Sequence, residues 1–417
     1  MRARQIKRSK FFRYWALAED IAFLNHGSFG ACPLAILKRQ SELRRKMEAE
    51  PVQFLWRRYE ERLEPSRRAV ADFVGARPRD LVFVTNATTG VNAVLRSLKL
   101  RPGEEILTTS QDYNACRNVL AESAARVRAR LVVATVPFPV RSPDEVLEAV
   151  LRNVTRRTRL ALIDHVTSGT AMIYPVARII RELEARGVDT LVDGAHAPGM
   201  VPIDLSRLNP AFYTANLHKW VCAPKGAAFL WARADRQERL QPAVVSHGNN
   251  TPRPGYSAFQ DRFDWAGTSD PTAWFCAGEA LAWMGRLLPG GWPAIRKRNH
   301  ALVVRARAKL CERLGVERPC PDVMLGSMAT IPLPAAFQGR PREGKIDAEQ
   351  CRLYDEFGIE VPFFRIGRPE RRYLRISAQL YNSPPEYDYL AEALLACEAA
   401  RGCDGTQTHP PTNQGSS

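Results

Sequence analysis

What the chain lacks narrows it first. Nowhere in its 417 residues is there an uncharged apolar run of the length a membrane helix needs, so a helical membrane protein is not expected. The basic opening, Met1 to Lys10, leads into Phe11 to Leu24, which Arg13, Glu19 and Asp20 interrupt. With no unbroken apolar region and no small-residue cleavage site, the expectation is no secretory signal and a cytoplasmic location. The nine cysteines form no C-x-x-C pair and no zinc-like spacing, so no metal site is expected. Their odd number argues against a full disulfide framework, and most are expected to be buried thiols in a reducing compartment. No internal repeat is visible. Lysine is also scarce, at about ten of the 60 basic residues.

What remains fits a globular protein with a substantial core. Hydrophobic residues make up 45% of the chain, and the length suits one large domain plus a smaller one. The formal charge of +16 raises the possibility of nucleic-acid binding. However, the arginines are spread along helical stretches and interleaved with Glu, as in Arg57 to Arg62. That is the pattern of a solvated helix face with local ion pairs. No RNP, zinc-finger or helix-turn-helix signature accompanies it, so nucleic acid is not the expected partner.

In chain order, residues 1–24 read as an arm and the start of a helix. A turn-rich segment, Asn25 to Gly30, precedes Pro33, where a helix begins, and Pro51 to Phe73 continues in helical periodicity. Seven short apolar runs then alternate with helical stretches: Leu81–Thr85, Glu105–Thr109, Leu131–Thr135, Leu160–Asp164, Thr190–Asp193, Phe212–Ala215 and Gly226–Trp231. This alternation predicts an α/β fold, a mainly parallel seven-stranded sheet with helices on both faces, spanning 25–290. From 291 to 400, a long helix around Ala294 to Leu314, a proline-rich passage, and strands near Met328 and Tyr373 predict a smaller α+β domain. Residues 401–417 have little to bury and read as a disordered tail.

The chemistry concentrates at strand ends. Thr190-Leu-Val-Asp193-Gly-Ala-His196 and Tyr213-Thr-Ala-Asn216-Leu-His218-Lys219-Trp220 each begin apolar and end ionisable. Buried strands of an open α/β sheet look like this where they face a ligand crevice. A buried carboxylate at Asp193 needs a partner, and a protonated pyridine nitrogen would supply one. Lys219 supplies what arginine cannot, an amine able to form a Schiff base. Together they fit pyridoxal phosphate. His196 is placed to stack on such a ring or to hydrogen-bond it. Asn86-Ala-Thr88-Thr89-Gly90, between a strand and a helix N-terminus, suits an anion, though the same residues also serve as ordinary caps.

Taken as a set, Asp193-Gly-Ala-His196, Asn216-Leu-His218-Lys219-Trp220 and Pro224-Lys-Gly226 resemble the class V aminotransferase-fold enzymes. The branch they resemble is isopenicillin N epimerase-like, with cysteine desulfurases and C–S lyases as cousins. The likeness runs from about Leu24 to about Leu395 and implies the pyridoxal-phosphate-dependent transferase fold, fold type I. It also implies roles. Lys219 would carry the cofactor, Asp193 would face the pyridine nitrogen, Thr88 and Thr89 would hold the phosphate with Asn216 and Tyr213, and His218 would also bind the cofactor. Tyr113 would stack on the ring and Ser168 would lie near its phenolic oxygen. Thr268 would reach the phosphate of a neighbouring subunit, implying a homodimer with shared sites. Arg375 would clamp the substrate α-carboxylate, with Asn25 and His26 also on the substrate side.

The resemblance further implies an amino-acid substrate that reacts through an external aldimine and an α-carbanion. Lys219, Asp193, His196 and Tyr113 form the catalytic set. Epimerisation at Cα and β-elimination from a cysteine conjugate follow from the same first step, with transamination and desulfuration as further branches. Cysteine desulfurases carry a mobile Cys shortly before the arginine. Val361 to Arg368 contains none, and the nearest, Cys351, falls in a predicted helix. Gly248 to Asn250, Arg253, Tyr256 and Arg365 are candidates for the side-chain pocket. The non-enzymatic alternative is a basic scaffold that binds nucleic acid or a protein partner.

Overall fold

The computed structural model describes residues 6–338 and 346–404. Its centre is a seven-stranded sheet built from β2 (Leu81–Val84), β3 (Glu105–Thr109), β4 (Arg130–Ala134), β5 (Thr158–Asp164), β6 (Asp189–Asp193), β7 (Phe212–Asn216) and β8 (Ala228–Ala232). The spatial order is β2-β8-β7-β6-β5-β3-β4, with only β8 antiparallel to its neighbours. β2, β3, β6, β7 and β8 are buried almost throughout. Burial on both faces explains why they read as unbroken apolar runs rather than alternating ones. The crossovers between parallel strands are helices such as Asn114–Arg126 and Val176–Glu184. The latter packs Val176, Ile179, Ile180 and Leu183 inward at helical spacing.

The smaller unit holds a three-stranded antiparallel sheet, ordered β11 (Phe363–Ile366), β12 (Arg371–Ser377), β9 (Met328–Pro332). The long helices Gly291–Arg313 and Pro384–Asp404 accompany it. The N-terminal segment joins this unit: β1 (Ala22–Phe23) pairs in parallel with β10 (Ile359–Glu360). The helix expected near the start is only a 3-10 turn, Phe12–Tyr14. Buried Phe11 and Trp15 fix it in an aromatic cluster with Tyr381, so side-chain packing, not helix length, orders the arm. The stretch after Pro51 is likewise divided, into a π-helical turn Gln53–Arg57 and a helix Tyr59–Phe73. The last helix runs past the expected start of a tail at 401, and residues 405–417 lie outside the described residues.

The sheet places its chemistry at one edge. Asp164, Asp193 and Asn216 close β5, β6 and β7, and Asp164 sits directly opposite Asp193 in register. The strand-end loops therefore deliver polar groups to one crevice, which the N-terminal segment borders through Ser28 and Phe29. Contact beside it is tight. A Cβ on Gly27 would lie 2.4 Å from Met328 Sδ and 3.2 Å from an Arg375 nitrogen.

Candidate active site

The crevice is a cavity of about 810 Å³. Lys219 and His218 follow β7, Asp193 ends β6 and His196 follows it, and Thr88 and Thr89 open the helix Ala87–Ser97 after β2; all of them line it. Tyr113, Ser168 and Asn216 complete this part of the wall.

Lys219 is partly buried, its side chain open only to the cavity. Its Nζ lies 3.0 Å from His196 Nε2. Burial, reinforced by the positive charge of Arg375, lowers its pKa to about 7. The indole N–H of Trp220 approaches His196 Nδ1 at 3.4 Å. With Nδ1 accepting, the neutral imidazole carries its proton on Nε2 and donates to the amine. Burial keeps His196 neutral by holding its pKa well below the ordinary value. Lys219 is thus held as a nucleophilic amine near neutrality.

Asp193 lies beneath, 3% exposed. Its Oδ1 accepts the Ala195 N–H at 2.9 Å and its Oδ2 accepts the Cys116 thiol at 3.2 Å. Burial pushes its pKa up, opposed by these hydrogen bonds and by Lys219. At the helix Ala87–Ser97 the capping and anion-site readings coexist. Asn86 Oδ1 accepts from Thr89 N at 2.8 Å, and Asn216 Oδ1 accepts from Ala87 N at 2.8 Å. The Thr88 and Thr89 side chains still border the cavity beside the positive end of the helix dipole.

Arg375 is 1% exposed. It donates to Ser168 O at 2.7 Å, Ser168 Oγ at 3.3 Å, Ser28 Oγ at 3.1 Å and Asn25 Oδ1 at 3.3 Å. All are neutral acceptors, and its Nε has no partner. No carboxylate is ion-paired to it among the described residues, and burial lowers its pKa to about 10. A buried guanidinium without an anion is costly unless a ligand supplies one.

Several expected residues sit elsewhere than expected. Tyr213 is completely buried, its hydroxyl 2.8 Å from His165 Nδ1. Strand alternation turns it away from Asn216, so it does not line the cavity. His26 is also fully buried, bridging Lys219 O at 3.0 Å and the Tyr381 hydroxyl at 2.7 Å, which makes it a brace for the Lys219 backbone. Asn25 orients Arg375 rather than lining the cavity, and its Nδ2 donates to Glu360 Oε1 at 2.8 Å. Arg253 is taken up by Glu60, Asp261 and Asp264, and its guanidinium stacks on Tyr256. Gly248 packs on the Asp261 backbone. None of these borders the cavity, and neither does Arg365. Thr268 is exposed, outside the cavity of its own chain.

Sequence reading also missed residues. Asp164, Lys225, Ser28 and Phe29 all line the cavity. Lys225 belongs to the Pro224-Lys-Gly226 motif, and its Nζ donates to Gly30 O at 3.1 Å. Asp164 ends an apolar strand just as Asp193 does, which was a usable signal.

These groups suit pyridoxal phosphate. Lys219 would hold its aldehyde carbon, Asp193 its ring nitrogen, and Thr88, Thr89 and Asn216 its phosphate, with His218 beside them in the cavity wall. Arg375, without an anion of its own, would suit a substrate carboxylate. Fold and site together define a pyridoxal-phosphate-dependent enzyme of fold type I. The chain belongs to the aminotransferase class V family, which it matches over residues 31–336. It is 35% identical to isopenicillin N epimerase of Streptomyces clavuligerus over 394 residues, covering 91% of this chain and 96% of that protein. It is 31% identical to a putative L-cysteine desulfhydrase of Oryza sativa subsp. japonica over 407 residues, covering 90% and 82%. Among solved structures it is similar to the cysteine desulfurase CsdA from Escherichia coli, with a TM-score of 0.75 and 20% identity, covering 94% and 98%. The cystine C–S lyase C-DES, solved with cysteine persulfide, gives a TM-score of 0.73 at 20% identity, covering 90% and 97%.

Proposed function

We propose that the protein is an isopenicillin N epimerase-like enzyme that inverts Cα of an amino acid. The observation that carries this reading is Lys219, an amine lining the cavity that loses its proton near neutrality, together with Arg375, a buried cation lacking an anion that sits just behind the lining residues Ser28 and Ser168. Arg375 binds the substrate α-carboxylate, with Ser28, Asn25 and Ser168 fixing its plane. Lys219, once free, takes the Cα proton, and His196 orients the amine that receives it. When bound, pyridoxal phosphate supplies the electron sink for the pair left at Cα. Tyr113, at the start of the helix after β3, stands across β5 and β6 from Lys219. That position suits return of a proton from the other face.

The second reading is β-elimination from a cysteine conjugate, supported by the desulfhydrase relatives. Desulfuration through a cysteine persulfide has less support. Cys351 is exposed in the helix Ala348–Phe357, and no described cysteine borders the cavity. The protein acts, in this reading, as a cytoplasmic homodimer. Exposed Phe29, Leu34, Leu37, Val52, Trp56, Val244 and Val245 supply apolar surface for a partner copy, with Thr268 reaching into that copy's site. The eight cysteines whose side chains are described are all free, which suits a reducing compartment. Among the described residues no helix is long and apolar enough to cross a membrane.

The test is to incubate the enzyme in deuterium oxide with a panel of amino acids and cysteine conjugates. Deuterium at Cα with inversion, and no pyruvate, ammonia or sulfide, supports epimerisation. Stoichiometric pyruvate and ammonia would move the assignment to a lyase. Sedimentation at micromolar concentration checks the dimer.

A further inference from the structure

Asp164 has no part in the chemistry above, yet its setting is unusual. It faces Asp193 directly across the parallel β5–β6 pair, in a region where both side chains are 3% exposed. Adjacent parallel strands lie about 4.8 Å apart, so the two carboxyls are close neighbours. Asp164 Oδ2 is buried without a hydrogen-bond partner, and the residue borders the cavity. The neighbouring charges do not neutralise the pair. Arg117 from the helix Asn114–Arg126 is engaged bidentately by Asp112, at 2.6 and 2.8 Å. Asp112 also accepts from Thr108 on β3 at 3.0 Å. Cys116 from the same helix donates to Asp193, and the Tyr174 hydroxyl is directed to Gln111. Lys219 is the remaining cation near Asp193. Two like charges side by side in a dry site do not both ionise.

We propose that Asp164 is a positioning residue that holds a proton under the floor of the site, so that the Asp164–Asp193 pair presents one negative charge, not two, to the ring nitrogen. The role at the ring nitrogen rests on the cofactor reading, but the proton itself belongs to the apoprotein. Burial, and then the charge of Asp193, raise the Asp164 pKa well above its ordinary value near 3.8. Asp193 remains the single charged acceptor. A second anion beside it would raise the ring nitrogen's basicity further.

The proton is read in the apoprotein. Infrared difference spectra of wild type against Asp164→Asn at neutral pH are expected to show a protonated carboxyl C=O band present only in wild type. In Asp193→Asn that band should titrate away at lower pH than in wild type, because the neighbouring charge is gone. Thermal melts give a second readout. An acid whose folded-state pKa is raised adds stability that is complete below its unfolded value and is lost as pH rises. Wild type should therefore lose Tm relative to Asp164→Asn from about pH 4 upward. A wild-type carboxyl band absent at neutral pH, or a Tm difference flat with pH, overturns the proposal. Neither result bears on cofactor binding, which is read separately from visible absorbance. If Asp164→Asn does not fold, the shift of the band between wild type and Asp193→Asn decides alone.

Discussion

Two groups of buried cations sit in this molecule, and their partners differ. Arg67, from the helix Tyr59–Phe73, is fully buried but meets Asp264 at 2.7 Å and Glu64 at 2.9 Å, and gives its remaining donor to Leu81 O at 2.8 Å. Arg253 joins the same cluster through Asp264, Asp261 and Glu60. Arg375 is just as buried and Lys219 is partly buried in the cavity wall, yet Lys219 finds an imidazole and Arg375 finds carbonyl and hydroxyl oxygens. The carboxylates around Arg67 raise its pKa, whereas the pKa values of Lys219 and Arg375 fall. A cation satisfied by the fold's own acids is structural. On the proposed function, Arg375 is left without an acid because a ligand carboxylate completes it, and the fold bears the desolvation cost until that ligand arrives.

Substitutions at the two places should therefore fail in opposite ways. Lys219→Ala is expected to give the largest effect, loss of at least about a thousandfold in turnover together with the covalently held chromophore. Its apoprotein should melt no lower than wild type. Visible absorbance and a thermal melt read both outcomes. Arg375→Met should raise KM for the amino acid about a hundredfold, equivalent to about 3 kcal/mol of charge-assisted hydrogen bonding, with apoprotein stability held or increased. Arg67→Met should show the reverse, a loss of about 3 kcal/mol in denaturant unfolding because Asp264 loses a buried partner, with KM unchanged in the molecules that remain folded. An Arg375→Met protein as unstable as Arg67→Met would erase the distinction.

A subtler consequence is the pH dependence of stability. The Lys219 pKa falls from 10.5 to about 7. Below about 7 both folded and unfolded states carry its proton, and the folded state bears the full cost of the buried charge. As pH climbs from there toward 10.5, only the unfolded chain stays protonated, so the folded state recovers that stability. A Lys219→Met apoprotein should thus melt above wild type most clearly near pH 6, with the gap closing by pH 10. A gap that widens with pH contradicts the assignment of a depressed lysine.

The same contrast explains what the sequence made legible. Apolar runs ending in Asp193 and Asn216 marked strands closing at a crevice, and each of the seven strands lies within two residues of its run. Strand formation and the identity of strand-end residues are local, so periodicity reveals them. Pairing is not local. That Asp164 faces Asp193 depends on register between β5 and β6, and that Arg253 is taken by three acids depends on helix Ala258–Asp264 folding back over it. Tyr213 was readable. Residues three apart on a strand point to opposite faces, so Tyr213 and Asn216 cannot both reach one phosphate. His26 was not readable, because its partner Tyr381 lies more than three hundred residues away.

Lys225 borders the same cavity as Lys219, so the central claim turns on which lysine carries the cofactor. Load the protein with pyridoxal phosphate, reduce it with borohydride, digest it and map the modified peptide by mass spectrometry. The expected result is one phosphopyridoxyl group on Lys219, absent from Lys219→Ala. A label on Lys225, or none above background on either, would contradict the account.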